Sequence, residues 1–268
     1  MFRVAVAVCC ALAAVGLQAQ TKKAPPKAPA AAPAAPAPKR EMPVPFKPGE
    51  VLEFDVGWSS YVTAGTATVT VKEKKPSYNS VAYYMVAEGR PTSLLSKLYT
   101  LYYKADTLID VYNLLPQRGS LYVEEGKRRR MKTTMFDQAK LEAKYEVQTA
   151  TKVERTIKLP KMTQDALSAL YVLRCIPVKT GDKFNMPVTD AGDVYQVQMQ
   201  VGALESLATP LGTINAYKIV PIITGPKNSA PPRGLAVWIS DDARRLPLKI
   251  EAQLAVGKFV VSLRKVTG

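Results

Sequence analysis

Apolar and polar positions alternate from residue 52 onward. Leu52, Phe54, Val56 and Trp58 are interleaved with Glu53, Asp55 and Gly57, and Ala67, Val69 and Val71 with Thr66, Thr68, Thr70 and Lys72. Period-two patterning is the signature of a half-buried antiparallel strand, and these two are predicted to pair through a turn near Ala64-Gly65. "NSVAYYMVAEGRP" supplies a third strand. "SLLSKLYTLYYKADTLID" reads as a short helical turn over residues 93–98 and a strand from 99 to 104. Two more strands flank Pro116, followed by a hairpin with Glu125-Gly126-Lys127 at its tip. "KLEAKYEVQTATKVERTIKLP" adds one weak alternating run. Later, Tyr195, Val197, Met199 and Val201 alternate with Val194, Gln196, Gln198 and Gln200, Thr209-Pro210-Leu211-Gly212 forms a turn, and "SAPPRG" forms a loop. The end is a meander: "LAVWIS", a "DDARR" turn, "LPLKIEAQLA", a "VGK" turn and "FVVSLRKV".

One stretch breaks the alternation. "TQDALSALYVLR", residues 163–174, has helical periodicity, with Thr163 as the expected N-cap, Asp165 placing negative charge in the first turn, and Pro177 stopping the helix. Leu167, Leu170, Tyr171 and Arg174 share one face; Ala166, Ala169, Leu170 and Leu173 make the adjacent one. A helix apolar over most of its circumference must be covered on most sides, which a flat sheet cannot do. The expected fold is therefore mostly β: a curved antiparallel sheet or incomplete β-barrel with one central apolar helix at about 163–174.

The N-terminal region changes the compartment. Residues 1–19, with Arg3 ahead of an apolar run and small residues near Ala19, read as a secretory signal peptide. Residues 20–43 are an Ala/Pro/Lys-rich disordered linker, too poor in large apolar residues to form a core. Residues 44–268 form a single β-rich domain. The expected localisation is across the inner membrane, in the periplasm. Cys9 and Cys10 lie within the signal peptide, so Cys175, next to the apolar helix, is the one cysteine of the mature chain and reads as a buried thiol.

Charge and composition narrow the chemistry. The sequence has no histidine, which removes Ser-His-Asp and Cys-His catalysis and the commonest metal ligand. Catalytic residues, metal ligands and cofactors are accordingly expected to be none. Residues 44–268 carry 31 Lys+Arg against 21 Asp+Glu, favouring anionic partners. Lys127, Arg128, Arg129, Arg130 and Lys132 are the densest basic run, and on a strand Arg128, Arg130 and Lys132 share a face, as a comb for phosphates or sugar acids or as charges protecting a hairpin edge. Asp241 and Asp242 belong to a turn, with Arg244 and Arg245 expected to neutralise them. Tyr83, Tyr84, Tyr99, Tyr102 and Tyr103 suit either core packing or an aromatic wall. Ser59, Ser60 and Ser168 lack a visible activating base.

"PGEVLEFDVGWSSYVTAGTATV", "MFDQ", "LPKMTQDALSALYVLR", "TPLGTINAYKI" and "VWISDDARRLPLKIE" together resemble the bacterial exported proteins of the domain of unknown function 3108 family, which implies an address and a topology but no mechanism. The ending "VWISDDARRLPLKIEAQLAVGKFVVSL" is also similar to lipoprotein-localisation carriers, implying a half-barrel around an apolar, helix-lidded cavity. The functional expectation is a non-enzymatic envelope protein binding an amphiphile or anionic polymer through Leu167, Leu170, Tyr171, Arg128, Arg130 and Lys132. A scaffold docking onto an envelope complex is the alternative, and a hydrolase without histidine comes third. Lipid, glycan or an envelope protein is the expected partner, with contact at a membrane surface and no nucleic acid.

Overall fold

The computed structural model describes residues 39–58, 62–226, 233–254 and 257–268. The expected signal peptide, the expected linker as far as residue 38, Ser59, Ser60, most of the "SAPPRG" loop and the start of the "VGK" turn lie outside them. In chain order the elements are β1 (Val51–Trp58), β2 (Val62–Ser77), β3 (Ser80–Pro91), α1 (Ser93–Leu98), β4 (Leu101–Asp110), β5 (Pro116–Glu125), β6 (Arg128–Asp137), β7 (Glu142–Gln148), β8 (Lys152–Lys158), β9 (Gln164–Asp165) and α2 (Ala166–Cys175). They continue with β10 (Lys183–Asn185), β11 (Val188–Asp190), β12 (Asp193–Thr209), β13 (Gly212–Thr224), β14 (Arg233–Ser240), β15 (Pro247–Leu254) and β16 (Gly257–Thr267).

All the described strands belong to one sheet in the order β8-β7-β6-β5-β4-β3-β2-β1-β16-β15-β14-β13-β12-β11-β9, with β10 beside β12. Two antiparallel meanders are thus sewn together by the first and last strands, Val51 opposite Thr267 and Trp58 opposite Phe259. Among the described residues the one parallel pairing is β9 with β11. The sheet curves strongly without closing into a barrel. Where its two edges approach, side chains bridge them: Arg155 on β8 donates to the Ala191 carbonyl at 2.8 Å and pairs with Asp193 at 3.5 Å.

α2 is the crossover between those edges and packs inside the curve, as its apolar circumference requires. One core cluster joins Leu167 and Tyr171 to Phe46, Leu52, Phe54, Met85, Ile109 and Leu263; a second joins Ala169 and Leu173 to Val197, Met199, Val201, Ile219 and Ile239. The residues just before β1 belong to the same unit: Met42 N–H donates to the Val111 carbonyl, and Glu41 pairs with Lys74 at 2.8 Å.

Four local expectations are corrected. Ala64 and Gly65 are not a turn but a bulge in β2, where Val56 pairs with Gly65 and Gly57 with Thr63. Glycine is required there because a Cβ at position 65 would collide with the Arg90 carbonyl oxygen of β3. The weak run after residue 140 is two strands, β7 and β8, paired in full register. Thr163 does not cap α2: its hydroxyl donates to the Pro160 carbonyl at 2.6 Å, and the pairing of Gln164 and Asp165 with β11 delays the helix by two residues. Arg244 and Arg245 do not neutralise Asp241 and Asp242. Asp242 Oδ1 instead accepts from the backbone N–H groups of both arginines and from Ser240 Oγ, while the Arg245 guanidinium donates to the Ile176 carbonyl.

Candidate functional site: an apolar groove beside the central helix

Both ends of α2 are pinned by polar contacts. At its start Asp165 is the N-cap, with Oδ1 accepting from Ser168 N–H at 2.8 Å and Ser168 Oγ accepting from Asp165 N–H at 2.9 Å. This reciprocal box satisfies two of the helix's unpaired donors. The other carboxylate oxygen accepts from Thr107 Oγ1 of β4 at 2.6 Å, tying the cap to the sheet. Burial pushes the Asp165 carboxyl above its ordinary value, against the lowering influence of these hydrogen bonds.

At the other end Arg174 is 1% exposed. Its guanidinium grips Glu50 with two bonds, Nη1 to Oε1 at 2.6 Å and Nη2 to Oε2 at 3.0 Å, and also donates to the Arg245 and Arg244 carbonyls. A charge this deep is tolerable only when paired and fully hydrogen-bonded. The guanidinium also lies 5.4 Å from the Phe46 ring centroid and 5.2 Å from that of Tyr171. The adjacent Cys175 thiol is free, and burial pushes it up to about 11, which keeps it protonated and unreactive.

Between the two pins, the flank of α2 carrying Ala166, Ala169, Leu170 and Leu173 faces the inner surface of β11 to β15. Beside the packed Ala169 and Leu173 a groove of about 450 Å³ opens between them, walled by Tyr195, Val197, Met199, Pro221, Ile223, Leu235, Val237 and Ile250 among others. Leu170, Pro221, Ile223, Leu235, Val237 and Ile250 are only partly buried, and Ala166 and Asp190 at its border are exposed. Apolar walls that retain exposure this far inside a curved sheet mark a lined space, not solid packing.

The predicted site residues separate. Leu170 lines the groove. Leu167 instead borders a smaller cavity of about 140 Å³, together with Lys132, Thr134, Tyr145, Thr189 and Asp190. Tyr171 lines neither: it is 1% exposed and meets Phe46 edge-on with ring centroids 4.9 Å apart. The basic residues share a face as expected, and that face is the inner one, since Lys132, Leu121, Ala105, Ala87, Val69 and Leu52 stand opposite one another across successive strands. Arg130 is held by Glu125, whereas Arg128 is exposed near the hairpin tip. The tyrosines divide as well: Tyr83 packs on Phe46, Tyr102 donates to Glu88, and Tyr99 is exposed. The groove wall formed by Tyr195, Val197 and Met199 was visible in the sequence only as strand alternation. Among the described residues no cluster of His, Cys, Asp or Glu could hold a metal ion, and no helix is long and apolar enough to cross a membrane.

One solved structure agrees with this architecture. The solved β-barrel-like protein of domain of unknown function DUF1849 from Brucella abortus is similar over 81% of this chain and 96% of its own, with a TM-score of 0.50 at 8% identity. A candidate lipoprotein from Parabacteroides distasonis (8% identity) and a candidate exported protein with a YmcC-like fold from Bacteroides fragilis (11%) each match 85% of this chain and 100% of their own, both with TM-scores of 0.36. No curated protein matches the sequence. The family described as Protein of unknown function (DUF3108) matches residues 53–264, and the chain belongs to that family.

Proposed function

We propose that this protein is an exported, non-enzymatic component of the bacterial envelope that holds the apolar part of an amphiphile in the groove beside α2. The observation that carries this reading is the groove itself. Its volume of about 450 Å³ falls within the range of roughly 300–1,000 Å³ typical of small-molecule sites, which are mostly apolar with a few polar groups. Lys132 and Arg130 stand on the inner face of the opposite meander, where they would serve an anionic head group, and Leu170 is the helix side chain placed to touch an acyl chain. Export, to the periplasm, is supported by the N-terminal segment.

The test is binding of the fluorescent apolar probe N-phenylnaphthylamine, together with native mass spectrometry of protein recovered from cells. Saturable fluorescence enhancement that falls severalfold in Leu170→Gln is expected. A protein that carries no lipid and gives no saturable enhancement would refute the reading.

The scaffold alternative has one observation in its favour. β8 ends the sheet, and its outer edge offers backbone groups for strand addition. Lys152, Glu154, Arg155 and Lys158 crowd that edge with charge, which is how sheet edges are protected from pairing. A protein partner that survives high salt in a pull-down from envelope extracts would favour the scaffold.

A further inference from the structure

The end of the sheet away from Glu50 and Arg174 carries a surface that the groove does not account for. Trp58 at the end of β1, Leu94 in α1 and Tyr99 just after it are 42%, 70% and 55% exposed. Trp58 stands opposite Val62 at the start of β2, and main-chain contacts tie the segment from Thr92 to Thr100 to that strand and to the β5–β6 turn. Thr92 N–H donates to the Ala64 carbonyl near the start of β2, and Gly126 N–H at the β5–β6 turn donates to the Thr100 carbonyl. The Tyr99 ring lies against that turn, so that a Cβ at Gly126 would stand 3.3 Å from it.

Charge accompanies these apolar groups. Residues 88–104 and 124–130 hold Arg90, Lys97, Lys104, Lys127, Arg128, Arg129 and Arg130 against Glu88, Glu124 and Glu125. The acids are engaged locally: Glu124 by Arg129, Glu125 by Arg130 and the Tyr103 hydroxyl, and Glu88 by the Tyr102 hydroxyl. Lys97, Lys127 and Arg128 are exposed and, among the described residues, form no ion pair. Exposed Trp, Tyr and Leu beside uncompensated Lys and Arg match the chemistry of a bilayer interface: rings at the level of the head groups, and cations against phosphate. A protein interface of comparable stability would be expected to supply complementary shape and a central pocket, whereas these groups project from a turn and a helix of six residues.

We infer that the rim formed by α1, Tyr99 and the β5–β6 turn is the contact surface of this protein for an anionic lipid bilayer. It rests on the amphiphile reading only for its purpose, loading or unloading the groove at the membrane, and the two fail separately. The test is cosedimentation of the full chain, as recovered from expressing cells, with vesicles of phosphatidylcholine alone or mixed with phosphatidylglycerol. The variants are K97E/K127E/R128E, L94S/Y99S and, as a remote control, K158E/M162S. All these positions are exposed or at surface turns, where substitution perturbs folding little.

The expected result is preferential binding to the phosphatidylglycerol vesicles, reduced about tenfold or more by the charge reversal, reduced severalfold by L94S/Y99S, and unchanged in the control. Equal binding by wild type and both rim variants would overturn the inference, as would equal binding to both vesicle types. So would a result in which L94S/Y99S alters self-association in light scattering without altering vesicle binding, because the surface would then be a protein interface. N-phenylnaphthylamine binding in vesicle-free solution reports the groove independently: rim variants retain it, whereas Leu170→Gln loses it and keeps vesicle binding.

Discussion

One flank of α2, carrying Leu167, Tyr171 and Arg174, is absorbed into packing over β1 and β4. The other, carrying Ala166 and Leu170, borders the groove below β13 to β15. Both flanks are presented by ten consecutive residues, so their difference is not one of helix propensity. It arises from what each meets. The N-terminal meander brings Leu52, Phe54 and Met85 up to the helix, with Phe46 filling the remaining space; the C-terminal meander packs on Ala169 and Leu173 through Val197, Met199 and Ile219 but leaves Leu170 only partly covered. One flank should therefore respond to substitution in stability, the other in binding.

The largest effect is expected at the buried ion pair. Arg174→Met leaves Glu50 without its partner and should cost about 3–5 kcal/mol, read from the urea midpoint. The double change with Glu50→Leu should restore much of that loss, because no isolated charge then remains. A loss under 1 kcal/mol in the single variant would show that Glu50 finds water instead.

The next effect is at the cap. Asp165→Ala should cost about 0.5–2 kcal/mol. Burial raises the folded-state value of Asp165 above its ordinary 3.8. A carboxyl shifted this way stabilises the native state while it is protonated and loses that contribution as pH rises through the folded value. Relative to Asp165→Asn, the wild type should therefore lose stability as pH rises above 3.8; parallel urea titrations of the two proteins across that range measure it.

The two flanks separate most clearly in the remaining pair. Leu170→Gln should cost about 1 kcal/mol or less yet abolish most probe binding. Tyr171→Phe, despite far deeper burial, should change stability by no more than about 1 kcal/mol, because among the described residues the Tyr171 hydroxyl has no hydrogen-bond partner to lose, and should leave probe binding intact. Burial also raises the Tyr171 phenol, so no ionisation near neutral pH complicates the comparison.

The strands and the central helix were legible because period two and period 3.6 are direct consequences of backbone geometry. What escaped was whatever depends on distant chain. Arg174 reads only as a polar member of the Leu167, Leu170 and Tyr171 face until Glu50, 124 residues earlier, is placed beside it. Thr163 and Asp165 are both good cap residues, and only the pairing of β9 with β11 selects between them. Gly65 reads as a turn because glycine commonly marks turns, while its actual role is to admit the Arg90 carbonyl. For the site, alternation in β12 reveals which side chains point inward, but not whether the sheet closes on the helix or stands off from it. Curvature belongs to the whole sheet, and no local pattern encodes it.

The pairing of β1 with β16 has a consequence for biogenesis. Val51 finds its neighbour Thr267 only after 216 further residues have emerged, so every growing or translocating chain passes through a stage in which an apolar first strand has one open side. Contacts spanning so much chain form slowly, and unpaired strands invite association with other copies. For this protein, late arrival of β16 sets how long that exposure lasts, and deletion of its eleven residues, Gly257–Thr267, should yield insoluble material instead of a smaller folded domain.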